Sequence, residues 1–234
     1  MEPVYRLDSV VHRYDGKVAL RAPSLSLYPE RLYLVAGPNG AGKSTFLSLL
    51  SFLQSPSAGE IRYRGGRIDA RGAEAVRARR EVTLVQQSPY LFDDTVFGNI
   101  AFGLSARGIR GDELRRRVAD ALDLVDLCGF ERRNARLLSV GEAQRVAMAR
   151  ALALSPKVLL LDEPLAAVDR ETADLLWTVI GGLPGSGTTV VMATHGEVEV
   201  AGSERELLRI ERGMIRECLR PATVPAKPVT RSAT

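Results

Sequence analysis

An α/β fold with a mainly parallel sheet is predicted by three features of this 234-residue sequence. Short apolar runs, typical of buried strands, occupy residues 32–36, 158–161 and 189–193. Segments with apolar residues at helical spacing lie between these runs. Strands that alternate with helices form parallel sheets covered by helices. The first residues instead alternate apolar and polar side chains, which predicts antiparallel strands at the N-terminus.

The first half of the chain begins with these antiparallel strands. Residues 4–11 and 24–28 alternate around Asp15-Gly16, a favourable turn pair. The buried strand at 32–36 ends at a glycine, and a helix is expected over residues 46–53. A further strand is predicted at residues 81–85.

The second half is expected to hold an inserted helical subdomain and the central strands. Residues 95–155 are mostly helical in pattern, and a helix near 170–183 joins the strands at 158–161 and 189–193. Residues 207–210 and 214–215 flank Arg212-Gly213 as a closing hairpin. The Pro-, Ala- and Thr-rich tail from Arg220 is expected to be disordered. The predicted organisation is one domain over residues 1–219, a helical subdomain at about 95–155 and a tail at 220–234.

Composition narrows the class of protein. With 45% apolar and 26% charged residues the chain is globular rather than disordered. The 32 basic residues are dispersed among 28 acidic ones, so nucleic acid is not an expected partner. Cys128 and Cys218 are too few and too far apart for a disulfide framework, which favours a reducing compartment. No signal pattern and no apolar run of about 20 residues is present, so we expect a cytosolic location.

A phosphate-binding loop is the first functional motif. The pattern G-x-x-x-x-G-K-[ST] lies between a predicted strand and a predicted helix. Its residues are Gly37, Pro38, Asn39, Gly40, Ala41, Gly42, Lys43, Ser44 and Thr45. In such a loop backbone N–H groups surround phosphate oxygens, the lysine reaches the β- and γ-phosphates, and the first hydroxyl binds Mg²⁺. The loop predicts a nucleoside triphosphate site but does not identify the reaction.

Further motifs occur before and after this loop. Tyr14 precedes it, Gln86 and Gln87 end the strand at 81–85, and residues 138–142 read Leu-Ser-Val-Gly-Glu. Asp162 and Glu163 follow the strand at 158–161, where ligands of parallel sheets bind. Asp169 follows within a short loop, and His195 ends the strand at 189–194.

In this order the motifs resemble those of the ATP-binding subunits of ABC transporters, over nearly all of residues 4–217. The resemblance implies that Tyr14 stacks on adenine and that Gln87, with Gln86 as the alternative, binds Mg²⁺ and orients water. It further implies that Asp162 holds Mg²⁺. Glu163 is then the general base, and His195 contacts the γ-phosphate.

The segment at 138–142 resembles the signature motif of that family. The resemblance implies that Ser139, Gly141 and Glu142 cover the γ-phosphate bound by a second subunit, and that Asp169 helps to join the two subunits. Val140 replaces a family glycine and adds bulk, whereas Glu142 replaces a glutamine and adds a carboxylate. Ser139 and Glu142 also match a capping box that opens a helix.

The function implied is that of an ATPase subunit that binds ATP and Mg²⁺ as a homodimer. Its partners would be a transmembrane permease and an extracytoplasmic solute-binding protein, with the subunit on the cytoplasmic face of the membrane. The family members that it resembles most serve importers of small oxyanions such as tungstate, molybdate or phosphate. The alternatives are a soluble ABC-type ATPase and an exporter subunit. A small GTPase or nucleotide kinase does not account for residues 138–145, and the guanine motif Asn-Lys-x-Asp is absent from the sequence.

Overall fold

The computed structural model describes residues 1–194 and 205–219. Its strands are β1 (Tyr5–Tyr14), β2 (Lys17–Leu27), β3 (Leu32–Ala36), β4 (Ala58–Tyr63), β5 (Gly66–Arg67), β6 (Val82–Val85), β7 (Val158–Asp162), β8 (Thr189–Thr194), β9 (Arg205–Glu211) and β10 (Met214–Leu219). Its helices are α1 (Lys43–Leu50), α2 (Ala73–Glu81), α3 (Val96–Ala106), α4 (Gly111–Leu124), α5 (Val140–Leu152) and α6 (Arg170–Gly182). The predicted tail at 220–234 lies outside the described residues.

The strands form one sheet in the order β5-β4-β1-β2-β10-β9-β3-β8-β7-β6. The run from β9 to β6 is parallel throughout, whereas β1, β2, β4 and β5 pair antiparallel. Strand β10 joins the two parts, because it pairs antiparallel with β9 and parallel with β2. The predicted α/β class, with a mainly parallel sheet and antiparallel N-terminal strands, is confirmed.

The central strands are apolar along their whole length because both of their faces are covered. In β7, Val158 and Leu160 contribute to one core with α1, while Leu159 and Leu161 contribute to a second core. The second core contains buried residues of α3, α4, α5 and α6. The sheet therefore separates two layers, and each central strand is held from both sides.

The register of the parallel strands places three chain segments at one edge of the sheet. Ala36 at the end of β3 lies opposite Thr194, and Asp162 at the end of β7 lies opposite Ala193. The residues that follow β3, β7 and β8 therefore leave the sheet at the same carboxyl edge. Ligands of open parallel sheets bind at this edge.

The inserted helices lie between β6 and β7. Helices α3, α4 and α5 fall within residues 95–155, where the helical subdomain was predicted, although the domain boundaries themselves stay a prediction. No helix in the part of the chain that the structure describes is long and apolar enough to cross a membrane.

Two sequence predictions of local structure were wrong in detail. Glu81 ends α2 instead of opening a strand, and α2 was missed because only Ala75 and Ala78 of it are buried. Helix α1 ends at Leu50, before Leu53, since Phe52 has a φ of 57° that no α-helix continues through.

The double coverage of β7 gives a stability prediction. Replacing Leu160, which is fully buried, with alanine should lower the free energy of unfolding by about 3 kcal/mol because of lost transfer energy and a residual cavity. Urea denaturation measures this value. The control is Leu124→Ala, where half of the side chain is exposed and a loss below about 1 kcal/mol is expected. Equal losses in the two variants would contradict the two-layer arrangement.

Candidate functional site

The phosphate loop joins β3 to α1 at the carboxyl edge of the sheet. Gly42 is the N-cap of α1 with a φ of 110°, a conformation that favours glycine, and no side chain caps this helix. The first N–H groups of α1 are therefore available to an anion, together with the positive end of the helix dipole. Gly37 is required for packing, because a Cβ there would lie 2.3 Å from the carbonyl oxygen of Ile210.

Lys43 is buried in the loop that it belongs to. Its Nζ donates hydrogen bonds to the carbonyl oxygens of Gly37 at 2.8 Å and Pro38 at 3.3 Å. The same Nζ lies 3.2 Å from Oε1 of Glu163, and only 5% and 7% of the two side chains are exposed. The lysine thus connects the phosphate loop to the carboxylate that follows β7.

Glu163 adopts an unusual backbone conformation that directs it to this position. Its φ is 51°, in the left-handed region that costs a non-glycine residue about 1–2 kcal/mol. The surrounding structure holds it there, since its N–H donates to the carbonyl oxygen of Ala193 at 3.1 Å and its own carbonyl accepts from Ala166 N–H at 3.2 Å. Strained residues that are fixed in this way concentrate at functional sites.

A cavity of about 530 Å³ lies over the phosphate loop. Its walls are formed by Tyr14, Val18, Ala19, Asn39, Gly40, Gly42, Lys43, Ser44, Thr45, Gln87, Glu163, Arg212 and Gly213. The volume falls within the range of small-molecule sites. The structure therefore brings together Tyr14, Gln87, Glu163 and six of the nine predicted loop residues; Gly37, Pro38 and Ala41 do not line the cavity.

Several predicted site residues do not line this cavity. Gln86, the alternative to Gln87, lines a separate groove beside α3 and α5. Asp162 ends β7 and is half-buried, but it does not line the cavity. His195 directly follows β8 and lies outside the described residues.

Tyr14 is held at one end of the cavity. Its hydroxyl donates to Oε1 of Gln54 at 2.7 Å, and its ring meets that of His12 edge to face at 4.7 Å. About 45% of Tyr14 is exposed. A ring that is fixed by two contacts and still accessible offers a surface on which a nucleobase can stack.

The predicted capping box of α5 is present. Ser139 Oγ accepts from the N–H of Glu142 at 3.2 Å, and Glu142 Oε2 accepts from the N–H of Ser139 at 2.8 Å. The hydrogen bond from the Ser139 backbone is the main reason why the pKa of Glu142 is lowered, and Arg133, 3.4 Å away, adds to the effect. The carboxylate of Glu142, which replaces a family glutamine, is thus held by Ser139 and Arg133 of the same chain.

The remaining signature residues lie against the loop that precedes α6. Val140 is 65% exposed, and a Cβ on Gly141 would lie 3.1 Å from both Asp169 Oδ2 and Thr172 Oγ1. Asp169 is the N-cap of α6, and its hydrogen bond with the backbone of Thr172 lowers its pKa. Ser139, Gly141 and Glu142 do not line the cavity over the phosphate loop.

The residues present fit a hydrated magnesium ion. Mg²⁺ prefers oxygen ligands and keeps several waters, so one or two side chains suffice. Ser44 and Gln87 supply such oxygens in the cavity. Asp162 directly precedes Glu163 in the sequence and offers a third. Among the described residues there is no group of three or more His, Cys, Asp or Glu side chains that could form a closed metal site.

Four residues that line the cavity were not predicted from the sequence to belong to the site. Val18, Ala19, Arg212 and Gly213 line it beside Tyr14. The turn at Arg212-Gly213 was predicted as a hairpin, but the parallel pairing of β9 with β3, which brings that turn to the phosphate loop, has no local sequence signal.

Comparison with known proteins is consistent with this geometry. The profile of the ABC transporter family matches residues 20–166. The chain belongs to the ABC transporter family. It is 38% identical, over 97% of its length, to the sn-glycerol-3-phosphate import ATP-binding protein UgpC of Chromohalobacter salexigens. It is 39% identical, over 80% of its length, to the energy-coupling factor transporter ATP-binding protein EcfA of Methanothermobacter thermautotrophicus. The chain spans about 60% of the length of these relatives.

Solved structures of the family share the fold. CbiO1 from Clostridium perfringens, part of the ABC transporter complex CbiONQ, superposes with a TM-score of 0.84 and 26% identity over 94% of this chain and 89% of that one. The ATP-binding cassette MJ0796, a dimer bound to ADP and Pi after hydrolysis, gives a TM-score of 0.83 and 27% identity over 92% of this chain and 98% of that one. The predicted fold of an ABC-type phosphate-loop ATPase is confirmed.

The buried ion pair in this cassette gives a second prediction. Lys43→Met should destabilise the protein without nucleotide by about 3 kcal/mol, because it removes the cation beside a buried carboxylate. The double variant Lys43→Met/Glu163→Gln should recover most of that loss. Urea denaturation of the four proteins completes the double-mutant cycle. Additive losses would contradict a direct interaction between the two side chains.

Proposed function

We propose that the chain is an ATP-hydrolysing subunit that dimerises around two Mg-ATP and powers import through a separate membrane permease. The observation that carries this proposal is the convergence of Lys43, Gln87, Glu163 and Tyr14 on one cavity over the N-terminus of α1. Their arrangement suits a nucleotide with its base at Tyr14 and its phosphates at the loop. The similarity to relatives named ATP-binding proteins supports the same ligand.

Binding of ATP would change the partners of Lys43. In the structure its ammonium is bound by two carbonyl oxygens of the loop and by Glu163. The β- and γ-phosphate oxygens carry more negative charge than a carbonyl, so the ammonium would turn to them. The N–H groups of α1 would hold the same phosphates, since no side chain occupies them.

Hydrolysis requires a base at the γ-phosphate. Glu163, whose carboxylate is released from Lys43 when the lysine binds phosphate, would accept a proton from a water molecule. The oxygen of that water attacks the γ-phosphorus from the side opposite the bridging oxygen. The bond between the γ-phosphorus and this bridging oxygen breaks, and ADP leaves. We assign the orientation of the water to Gln87 and His195. Pre-positioned groups of this kind lower the barrier without reorganisation during the reaction.

Magnesium would be held by Ser44, Gln87 and Asp162. When bound, the ion neutralises part of the charge on the β- and γ-phosphates.

The second half of each ATP site would come from another copy of the chain. Ser139, Gly141 and Glu142 lie outside the cavity of their own chain, and the exposed position of Val140 suits an interface. The first backbone N–H groups of α5, at Val140 and Gly141, remain as donors to a phosphate, because the capping box uses only the N–H groups of Ser139 and Glu142. The dimeric state of MJ0796 supports this arrangement.

A groove beside the nucleotide cavity suits the permease. It has a volume of about 350 Å³, and its exposed aromatic side chains are Tyr90 and Phe102. The ring of Phe92 contacts that of Tyr90 edge to face and that of Phe102 at a tilt, and Arg150 donates to the carbonyl oxygen of Tyr90 at 2.9 Å. Gln86 lines this groove and Gln87 lines the nucleotide cavity, so two adjacent residues connect the two sites.

The transported solute is set by other chains. Names of relatives include spermidine and putrescine, Fe(3+), and sulfate and thiosulfate, so similarity does not select the oxyanions predicted from the sequence. Importers are the common feature of these names. A solute-binding protein and a position on the cytoplasmic face of the membrane complete the proposal.

The role of Glu163 is tested by Glu163→Gln. We expect ATP binding to be retained, with an affinity no lower than that of wild type, and a loss of steady-state turnover of at least about 100-fold, because a neutral amide cannot accept the proton. Titration with a fluorescent ATP analogue and release of phosphate measure the two quantities. Turnover above a few per cent of wild type would contradict a single base. Lys43→Ala is the matched control, since it should abolish binding itself.

The groove is tested by Tyr90→Ala. Since 72% of Tyr90 is exposed, the substitution should leave folding and ATP affinity unchanged while at least halving co-purification with a co-expressed permease that the wild-type chain captures. Leu124→Ala, an exposed apolar residue outside the groove, is the control. Equal recovery of the membrane protein with both variants would place the permease contact elsewhere.

A further inference from the structure

Arg212 is a charged residue of the nucleotide cavity to which the proposed mechanism gives no role. It lines the cavity and is exposed. Within residues 1–194 and 205–219 its guanidinium has no hydrogen-bond or ion-pair partner. An arginine without a protein partner on the wall of a ligand cavity is available to the ligand.

The position of Arg212 is fixed by its turn. The N–H of Gly213 donates to the carbonyl oxygen of Ala41 in the phosphate loop at 3.1 Å. A Cβ on Gly213 would lie 2.9 Å from the carbonyl oxygen of Ala19, so the turn also packs closely on β2. Arg212 is therefore attached to the loop from one side and to the wall near Tyr14 from the other.

A second hairpin of the same kind offers a comparison, because its arginine is paired with a carboxylate whereas Arg212, within the part of the chain that the structure describes, is not. Arg64-Gly65 and Arg212-Gly213 both have two successive residues at positive φ, the conformation of a type I′ turn. The guanidinium of Arg64 lies 3.1 Å from the carboxylate of Glu81. The corresponding arginine in the cavity faces no such carboxylate among the described residues.

The charged residues of the cavity wall also favour binding of an anion. Among the residues that the structure describes, its charged members are Lys43, Glu163 and Arg212, and the first two form an ion pair. Arg212 therefore supplies the net positive charge of the site. A negatively charged nucleotide is attracted to such a site.

We propose that Arg212 binds the nucleotide at its adenosine end, through attraction of the guanidinium to the α-phosphate. This inference rests on the proposed nucleotide-binding function. In the proposed mechanism Gln87 and Glu163 act at the γ-phosphate. Gly213 instead packs on Ala19 of β2, the strand that pairs with the Tyr14 end of β1, where the base is proposed to stack. Because the α-phosphate is common to ATP and ADP, Arg212 stabilises both complexes equally. It sets affinity and not the rate of the chemical step.

The test compares Arg212→Asn with Arg216→Ala. Asparagine suits the first position of a type I′ turn, so the hairpin is retained while the charge is removed. Arg216 is an exposed arginine of β10 that does not line the cavity, and it controls for net charge. Fluorescent analogues of ATP and of ADP measure Kd for the full chain, and phosphate release measures kcat and KM.

For Arg212→Asn we expect Kd to rise about five- to tenfold for both nucleotides, with KM rising in parallel and kcat within about twofold of wild type. Arg212→Lys, which keeps the charge, should restore most of the affinity. The inference is overturned if Arg212→Asn binds both nucleotides like Arg216→Ala, if only ATP binding is weakened, or if Arg212→Lys is as weak as Arg212→Asn. Failure of the wild-type chain to bind either nucleotide would instead overturn the proposed function.

Discussion

The ion pair between Lys43 and Glu163 is the contact on which the proposed site depends. It joins Lys43, the first residue of α1, to Glu163, the first residue after β7, and these two residues are 120 positions apart in the chain. Both side chains are buried, so the loss of either charge leaves the other less well compensated unless a ligand replaces it. Phosphate is the ligand that can do so, since it attracts the ammonium and leaves the carboxylate available as a base.

This pairing is possible because the parallel strands are held in register from both faces. Val158 and Leu160 anchor β7 in one core, and Leu159 and Leu161 anchor it in the other. A slip by one residue would exchange these faces and move Glu163 away from the loop. The left-handed conformation of Glu163 is stable for the same reason, because its N–H is tied to Ala193 on the adjacent strand.

Much of this arrangement could be predicted from the sequence, since its motifs are local. The phosphate loop, the capping box at Ser139 and Glu142, and the strand before Asp162 each have a short pattern that depends on neighbouring residues. Helix α2 was missed because it is rich in arginine and buries only two alanines, so its sequence lacks the apolar repeat of an amphipathic helix. Arg212 was missed because its role depends on β9 pairing with β3, a contact between residues more than 170 positions apart. The roles of Gln87, His195 and the signature residues stay predictions.

The most direct test is a crystal structure of Glu163→Gln grown with Mg-ATP. We expect a dimer in which Lys43 Nζ lies within hydrogen-bonding distance of the β- and γ-phosphates and no longer beside residue 163. We also expect the adenine on Tyr14 and the γ-phosphate against Ser139 of the partner subunit. A nucleotide bound away from Lys43, or one enclosed by a single copy of the chain, would contradict this arrangement.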